Sequence, residues 1–263
     1  MELKITTLIE NHASSNENLK YELGISMLIE ADGKRILFDT GDSGDFILNA
    51  KALDVDLNQL DACVISHSHF DHIGGYKKFV ENFPDPIPLY VGDEFFDAKY
   101  SQQEDKSYKN AGVAFDESYL EAHGIELHKV VGRQEKISEN ILLFHNFKVS
   151  NDFEEVESHF FIKSGNEYIK DKFDDEIALG IKTSKGLVLL VGCSHMGIVN
   201  IITQIKALTQ LPIRAVIGGT HLVHSSIDRI EKTIQAFDYL EVGSAATSHC
   251  TGDLGMQMME DHF

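Results

Sequence analysis

The chain has 263 residues, 43% of them hydrophobic, enough for a sizeable core in one large domain or two small ones. Lys and Arg number 23 against 42 Asp and Glu, and the resulting net charge of −19 argues against a nucleic-acid backbone or an anionic membrane as the main partner. The longest apolar runs are strand-length and too short to span a bilayer, and the acidic, alternating N-terminus reads as a strand and not as a signal peptide.

In chain order, residues 1–9 and 24–30 alternate in strand fashion, Asp32-Gly33 is a hairpin signal, and residues 34–38 return as a strand ending in Asp39-Thr40-Gly41. Residues 45–53 read as a helix and 60–65 as a strand. Gly74 and Gly75 allow a tight turn before a helix that begins near Tyr76. Pro84, Pro86 and Pro88 break the chain before a short strand at 89–91. A helix over 117–123 is closed by Gly124, and strands follow at 125–131 and 141–147. The region from about 93 to 175 reads as an irregular insertion in a single domain, with 150–175 as a polar, mobile flap. The last part repeats a unit: strands at 187–191, 213–217 and 244–248, with helices at 198–208 and 227–240 between them.

Residues 64–75 read Val-Ile-Ser-His-Ser-His-Phe-Asp-His-Ile-Gly-Gly, so an apolar strand runs into four metal-competent side chains, His67, His69, Asp71 and His72. Alternate residues of an extended segment share a face, which lets His67 and His69 hold one metal while Asp71 and His72 hold a second. Imidazole with carboxylate suits zinc, and also manganese or iron.

Each strand of the last part delivers a histidine past its C-terminal end, His195, His221 and His249, where open α/β layers place ligand sites. His195 and His249 are read as further metal ligands. His221 is read as a catalytic or substrate-facing group, with His224 weaker. Asp39 is expected to accept a hydrogen bond from a ligand histidine and so fix its tautomer. Asp174, Asp175 and Glu176 read as a solvated charge run, with the alternative that one of them faces the metals. The three cysteines, Cys63, Cys193 and Cys250, are odd in number and lack CxxC spacing, which predicts a reducing, cytoplasmic setting. Cys193 and Cys250 are each open to two readings, thiolate ligand or small packed residue, and for Cys193 the second is favoured.

These residues resemble the metallo-β-lactamase-fold superfamily. The resemblance rests on Phe-Asp-Thr-Gly at 38–41, His-Ser-His-Phe-Asp-His at 67–72 and the later strand-end histidines. Gly-Cys-Ser-His at 192–195, Gly-Gly-Thr-His-Leu at 218–222 and His-Cys-Thr-Gly at 249–252 are similar to the subgroup of dihydropterin ribofuranosyl-aminobenzene phosphate synthases. The resemblance implies an α/β four-layer αβ/βα sandwich with a binuclear site, with His67, His69, Asp71, His72 and His249 as ligands. Many superfamily members carry an Asp that bridges the metals where this chain has Gly-Cys-Ser-His.

The leading expectation is a hydrolase in which two divalent metals, zinc first, activate water, Asp71 orients it and His221 stabilises or protonates the leaving group. Its partner is a small-molecule substrate, with phosphorylated ones included, and neither nucleic acid nor membrane. Two alternatives stand beside it: a synthase joining a pterin methyl pyrophosphate to an aryl ribosyl phosphate, and a metal-bound ligand-binding module without turnover.

Overall fold

Alternating side chains near the start of the chain form β1 (Leu3–Ile9), which pairs antiparallel with β2 (Ser26–Ala31). β2 returns as β3 (Lys34–Phe38) through Asp32 and Gly33, at φ of 53° and 69°, the positive angles that a two-residue hairpin matched to strand twist requires. The structure is a computed structural model describing residues 2–263; Met1, where the first expected strand begins, lies outside the described residues.

The remaining elements are α1 (Phe46–Ala52), β4 (Ala62–Val64), α2 (Phe70–Ile73), α3 (Tyr76–Asn82), β5 (Leu89–Gly92), β6 (Lys99–Gln102), β7 (Tyr108–Asn110), α4 (Glu117–Ala122), β8 (Leu127–Val130), β9 (Gln134–Lys136), β10 (Ile141–His145), β11 (Phe160–Ser164), β12 (Glu167–Lys170), β13 (Ile177–Thr183), β14 (Gly186–Val191), α5 (Ile198–Thr209), β15 (Ile213–Gly218), α6 (Ile227–Tyr239), β16 (Ala245–Thr247) and α7 (Gly252–His262). Among the described residues, no helix is long and apolar enough to cross a membrane.

Two compact units result. The first comprises Glu2–Val130 and Glu157–Asp175. Its six-stranded sheet has the order β1-β2-β3-β4-β5-β8 and is parallel from β3 to β8. Leu37, Cys63, Leu89 and Val91 from this sheet, with Ile65 just past β4, pack with Phe46, Ile73, Tyr76 and Phe79 from the helices in one apolar core. A four-stranded antiparallel sheet, β12-β11-β6-β7, belongs to the same unit. The 150–175 stretch expected as a flap therefore contains a strand hairpin paired to β6. The expected strand at 60–65 shortens to β4, and Asp71 and His72 fall in the one-turn helix α2.

Gly74 and Gly75 have helical φ of −59° and −74°, so turning is not their role. A Cβ on either would come 2.2 Å from a backbone oxygen, that of Asp42 or that of Thr40. They are small because the 40–42 loop rests on them.

The second unit comprises Val131–Val156 and Glu176–Phe263. Its sheet has the order β16-β15-β14-β13-β10-β9. β14 is buried along its whole length, and β14, β15 and β16 run parallel with Val191 level with Gly218 and Gly218 level with Thr247. That register brings the three strand-end loops carrying His195, His221 and His249 to one edge of the sheet.

Candidate functional site

In the first unit the chain leaves β4 and runs through Ser66, His67, Ser68 and His69 into α2, with His67 and His72 fully buried and His69 and Asp71 4% and 9% exposed. The His67 ring centroid lies 4.7 Å from that of His69 and 4.1 Å from that of His72. His72 Nε2 lies 3.7 Å from an Asp71 carboxylate oxygen. The four motif side chains therefore form one cluster, with His67 as near to His72 as to His69.

Asp39 organises the cluster from the end of β3. It accepts the Ser66 N–H and the Ser66 hydroxyl at 2.7 Å each, and its Oδ2 is 2.7 Å from His72 Nδ1. This is the histidine hydrogen bond expected of Asp39. It holds the Nδ1 proton and turns Nε2 toward Asp71. Thr40 donates its N–H and its hydroxyl to the His72 carbonyl oxygen, at 2.7 and 3.0 Å.

In the second unit the three parallel strands deliver their histidines at strained positions: Ser194, His221 and His249 have φ of 63°, 51° and 54°. Such angles are uncommon outside glycine and gather at functional sites. The rings of His195 and His221 are 4.3 Å apart. Cys193 Sγ lies 3.3 Å from His249 Nε2, and the ligand atoms of Cys193, His221 and Cys250 lie within 4.8 Å of one another. Burial opposes ionisation of the Cys250 thiol, but Cys193 and the imidazoles of His249 and His221 hold it well below the usual thiol range. Ser194 Oγ donates to the Gly219 carbonyl at 2.8 Å and ties the first loop to the second. His224 is exposed.

The charge run at 174–176 differs from its expected reading. Asp174 alone is exposed; Asp175 and Glu176 are 1% and 3% exposed. Glu176 accepts the N–H groups of His195 and Met196 at 2.7 and 2.9 Å. Asp175 accepts the N–H of Ser68, between the two histidines of the motif, at 2.8 Å. Each carboxylate finds backbone donors in a loop bearing the candidate ligands, which is what keeps it buried. Nothing in the local sequence marks these two residues out from Asp174.

The chemistry of the first unit's donor set suits a divalent metal: three imidazoles and a carboxylate lie side by side in a buried position, and one imidazole is oriented by a carboxylate behind it. The fold and this motif define a metal-site protein of α/β type. A metallo-β-lactamase superfamily model matches residues 23–160, and the chain belongs to that superfamily. It is 32% identical to the 7,8-dihydropterin-6-methyl-4-(β-D-ribofuranosyl)-aminobenzene-5′-phosphate synthase of Methanocaldococcus jannaschii, over 99% of this chain and 92% of that protein. It is 31% identical to a metal-dependent hydrolase of the β-lactamase superfamily, Tm1679, whose crystal structure it matches with a TM-score of 0.86 over 100% of this chain and 93% of that one. A diphosphatase of the PhnP family shares the fold, with a TM-score of 0.53 at 17% identity over 94% of this chain and 87% of that one. The family's fold implies divalent metal binding and enzymatic activity.

Proposed function

We propose that the protein is a metal-dependent hydrolase acting on a small phosphorylated substrate, with zinc as the first candidate metal and two ions bound. The supporting observation is the buried His67, His69, Asp71 and His72 cluster with His72 held by Asp39. His67, His69, Asp71 and His72 in the first unit, and His195 and His249 in the second, are the proposed ligands. When bound, the metals supply Lewis-acid activation of water and of the oxygen under attack. The Asp71 carboxylate orients the attacking water. Asp39 keeps a proton on His72 Nδ1, and the His221 imidazole donates a proton to the leaving group.

The test is metal analysis of the purified protein, followed by assay against phosphomonoesters, phosphodiesters, diphosphates and lactones beside a His67→Ala/His69→Ala variant. Bound metal and a turnover that the variant lacks are expected. Metal-loaded protein no more active than the variant on every substrate would sink the hydrolase reading.

The similarity to the Methanocaldococcus jannaschii synthase favours a second reading, in which a pterin methyl pyrophosphate and an aryl ribosyl phosphate are joined. Incubating the metal-loaded protein with both partners tests it. A condensation product with pyrophosphate release supports the synthase, and its absence removes that reading.

A further inference from the structure

The end of the segment Glu157–Asp175, within the first unit, carries a buried ion triad. Lys99, at the start of β6, is 2% exposed, and its ammonium donates to Asp171 Oδ2 at 2.8 Å and to Asp175 Oδ1 at 2.7 Å. The other Asp175 oxygen, Oδ2, accepts the Ser68 N–H. Asp171 Oδ1 accepts the N–H of Phe173 at 2.7 Å, a residue at φ of 53°. The Phe173 ring stands edge-on to His69 at 5.7 Å, and Phe160 of β11 lies 4.6 Å from the same imidazole. This segment grips the motif loop twice, by the Ser68 peptide and by the His69 ring.

Stability does not account for such a triad. Removing a lysine and two carboxylates from water costs several kcal/mol per ion, and apolar side chains of similar volume commonly serve as well or better. What apolar side chains lack is an acceptor aimed at one peptide N–H and a net negative charge behind a loop of imidazoles. Fixing the peptide between His67 and His69 fixes the directions in which both side chains leave the backbone. Near a metal, supporting contacts of this kind set ligand orientation and affinity.

We infer that Lys99, Asp171 and Asp175 are positioning residues that lock the Ser68 peptide and thereby set the affinity of the His67–His69 pair for a divalent cation. The inference rests on the metal reading proposed above. Its test uses the full chain with Asp175→Asn, and with an apolar replacement of the triad, Lys99→Met/Asp171→Leu/Asp175→Leu, in case the single variant folds poorly. Zinc affinity is measured by competition with a chromophoric chelator, and the visible spectrum is recorded after cobalt loading. Amide hydrogen exchange of the peptide covering 64–70 is followed in metal-free protein.

The folded variants are expected to bind zinc about 10- to 100-fold more weakly. Their cobalt spectrum is altered and exchange over 64–70 is faster. Wild-type affinity, spectrum and exchange in a folded variant would overturn the inference. If the parent protein binds no divalent metal, the function proposed above fails, and the exchange measurement still decides: faster exchange in the variants upholds the locking of Ser68, and unchanged exchange overturns it.

Discussion

The Asp39 carboxylate and the His72 imidazole, both fully buried, meet at 2.7 Å, and the same carboxylate holds Ser66 by its N–H and its hydroxyl. One side chain thus sets the tautomer of a candidate ligand and the path of the loop leading to the others. Asp39→Asn offers one acceptor and an N–H₂ in place of two acceptors, so either Ser66 or His72 loses its partner. We expect metal affinity to fall about 10- to 100-fold, with circular dichroism unchanged. Chelator competition measures it, and unchanged affinity would show that His72 needs no such support.

Glu176 plays a comparable part in the second unit. It is buried and accepts the N–H groups of His195 and Met196. Glu176→Ala leaves these two amides without their carboxylate, an expected loss of about 1–3 kcal/mol for each buried group left unsatisfied. Urea denaturation reads the stability directly. A loss below about 0.5 kcal/mol, the scale of an ordinary surface substitution, would mean the loop finds other acceptors.

Gly75 tests the packing of the first unit. Its φ of −74° suits any residue, so Gly75→Ala adds no backbone strain, but the new Cβ would meet the Thr40 carbonyl at 2.2 Å. The loop bearing Asp39 and Thr40 must then move. We expect a cost of about 1–3 kcal/mol from overpacking, together with weakened metal binding. A variant as stable as the parent would show that the loop yields freely.

What the sequence made legible was whatever short spacing encodes. The run from His67 to His72, the strand-end histidines and the Asp32-Gly33 hairpin each lie within a few residues, and helices α5 and α6 carry enough periodicity to be placed within two residues. The partners of the motif loop were not legible. Asp175 is 107 positions from Ser68 and 76 from Lys99, and no local pattern separates a buried carboxylate from an exposed neighbour. Strands β6, β7, β11 and β12 are three to five residues of mixed polarity that only pairing with one another makes regular.

Lys99 gives the triad a pH signature. Burial works against its charge, but Asp175 and Asp171 outweigh that, so its pKa is raised above the ordinary lysine value. A raised folded pKa means that the folded state holds the proton more tightly. The stabilisation is fully present below the unfolded lysine pKa of about 10.4 and is lost as pH rises through the folded value. Lys99→Met leaves two carboxylates buried without a cation, at a cost of about 3–5 kcal/mol near neutrality. The stability gap between parent and variant should therefore narrow as pH climbs past about 10.4, in melting curves taken from pH 8 upward. A constant gap would mean that the charge on Lys99 is not what stabilises the triad.

Metal binding must also appear as folding stability, because a cation that binds the folded chain and not the unfolded one shifts the equilibrium toward the folded state. At a free zinc concentration 100 times the dissociation constant the gain is about 2.7 kcal/mol. The melting temperature of chelator-treated protein should rise on zinc addition, and the rise should be clearly smaller in His67→Ala/His69→Ala, which removes two of the proposed ligands. His224→Ala serves as the control: that imidazole is exposed and outside the donor set, so its variant should keep the full response. A zinc-induced rise undiminished in the double variant would assign the stabilising cation to other residues, with the Cys193, His221 and Cys250 group in the second unit the first to examine.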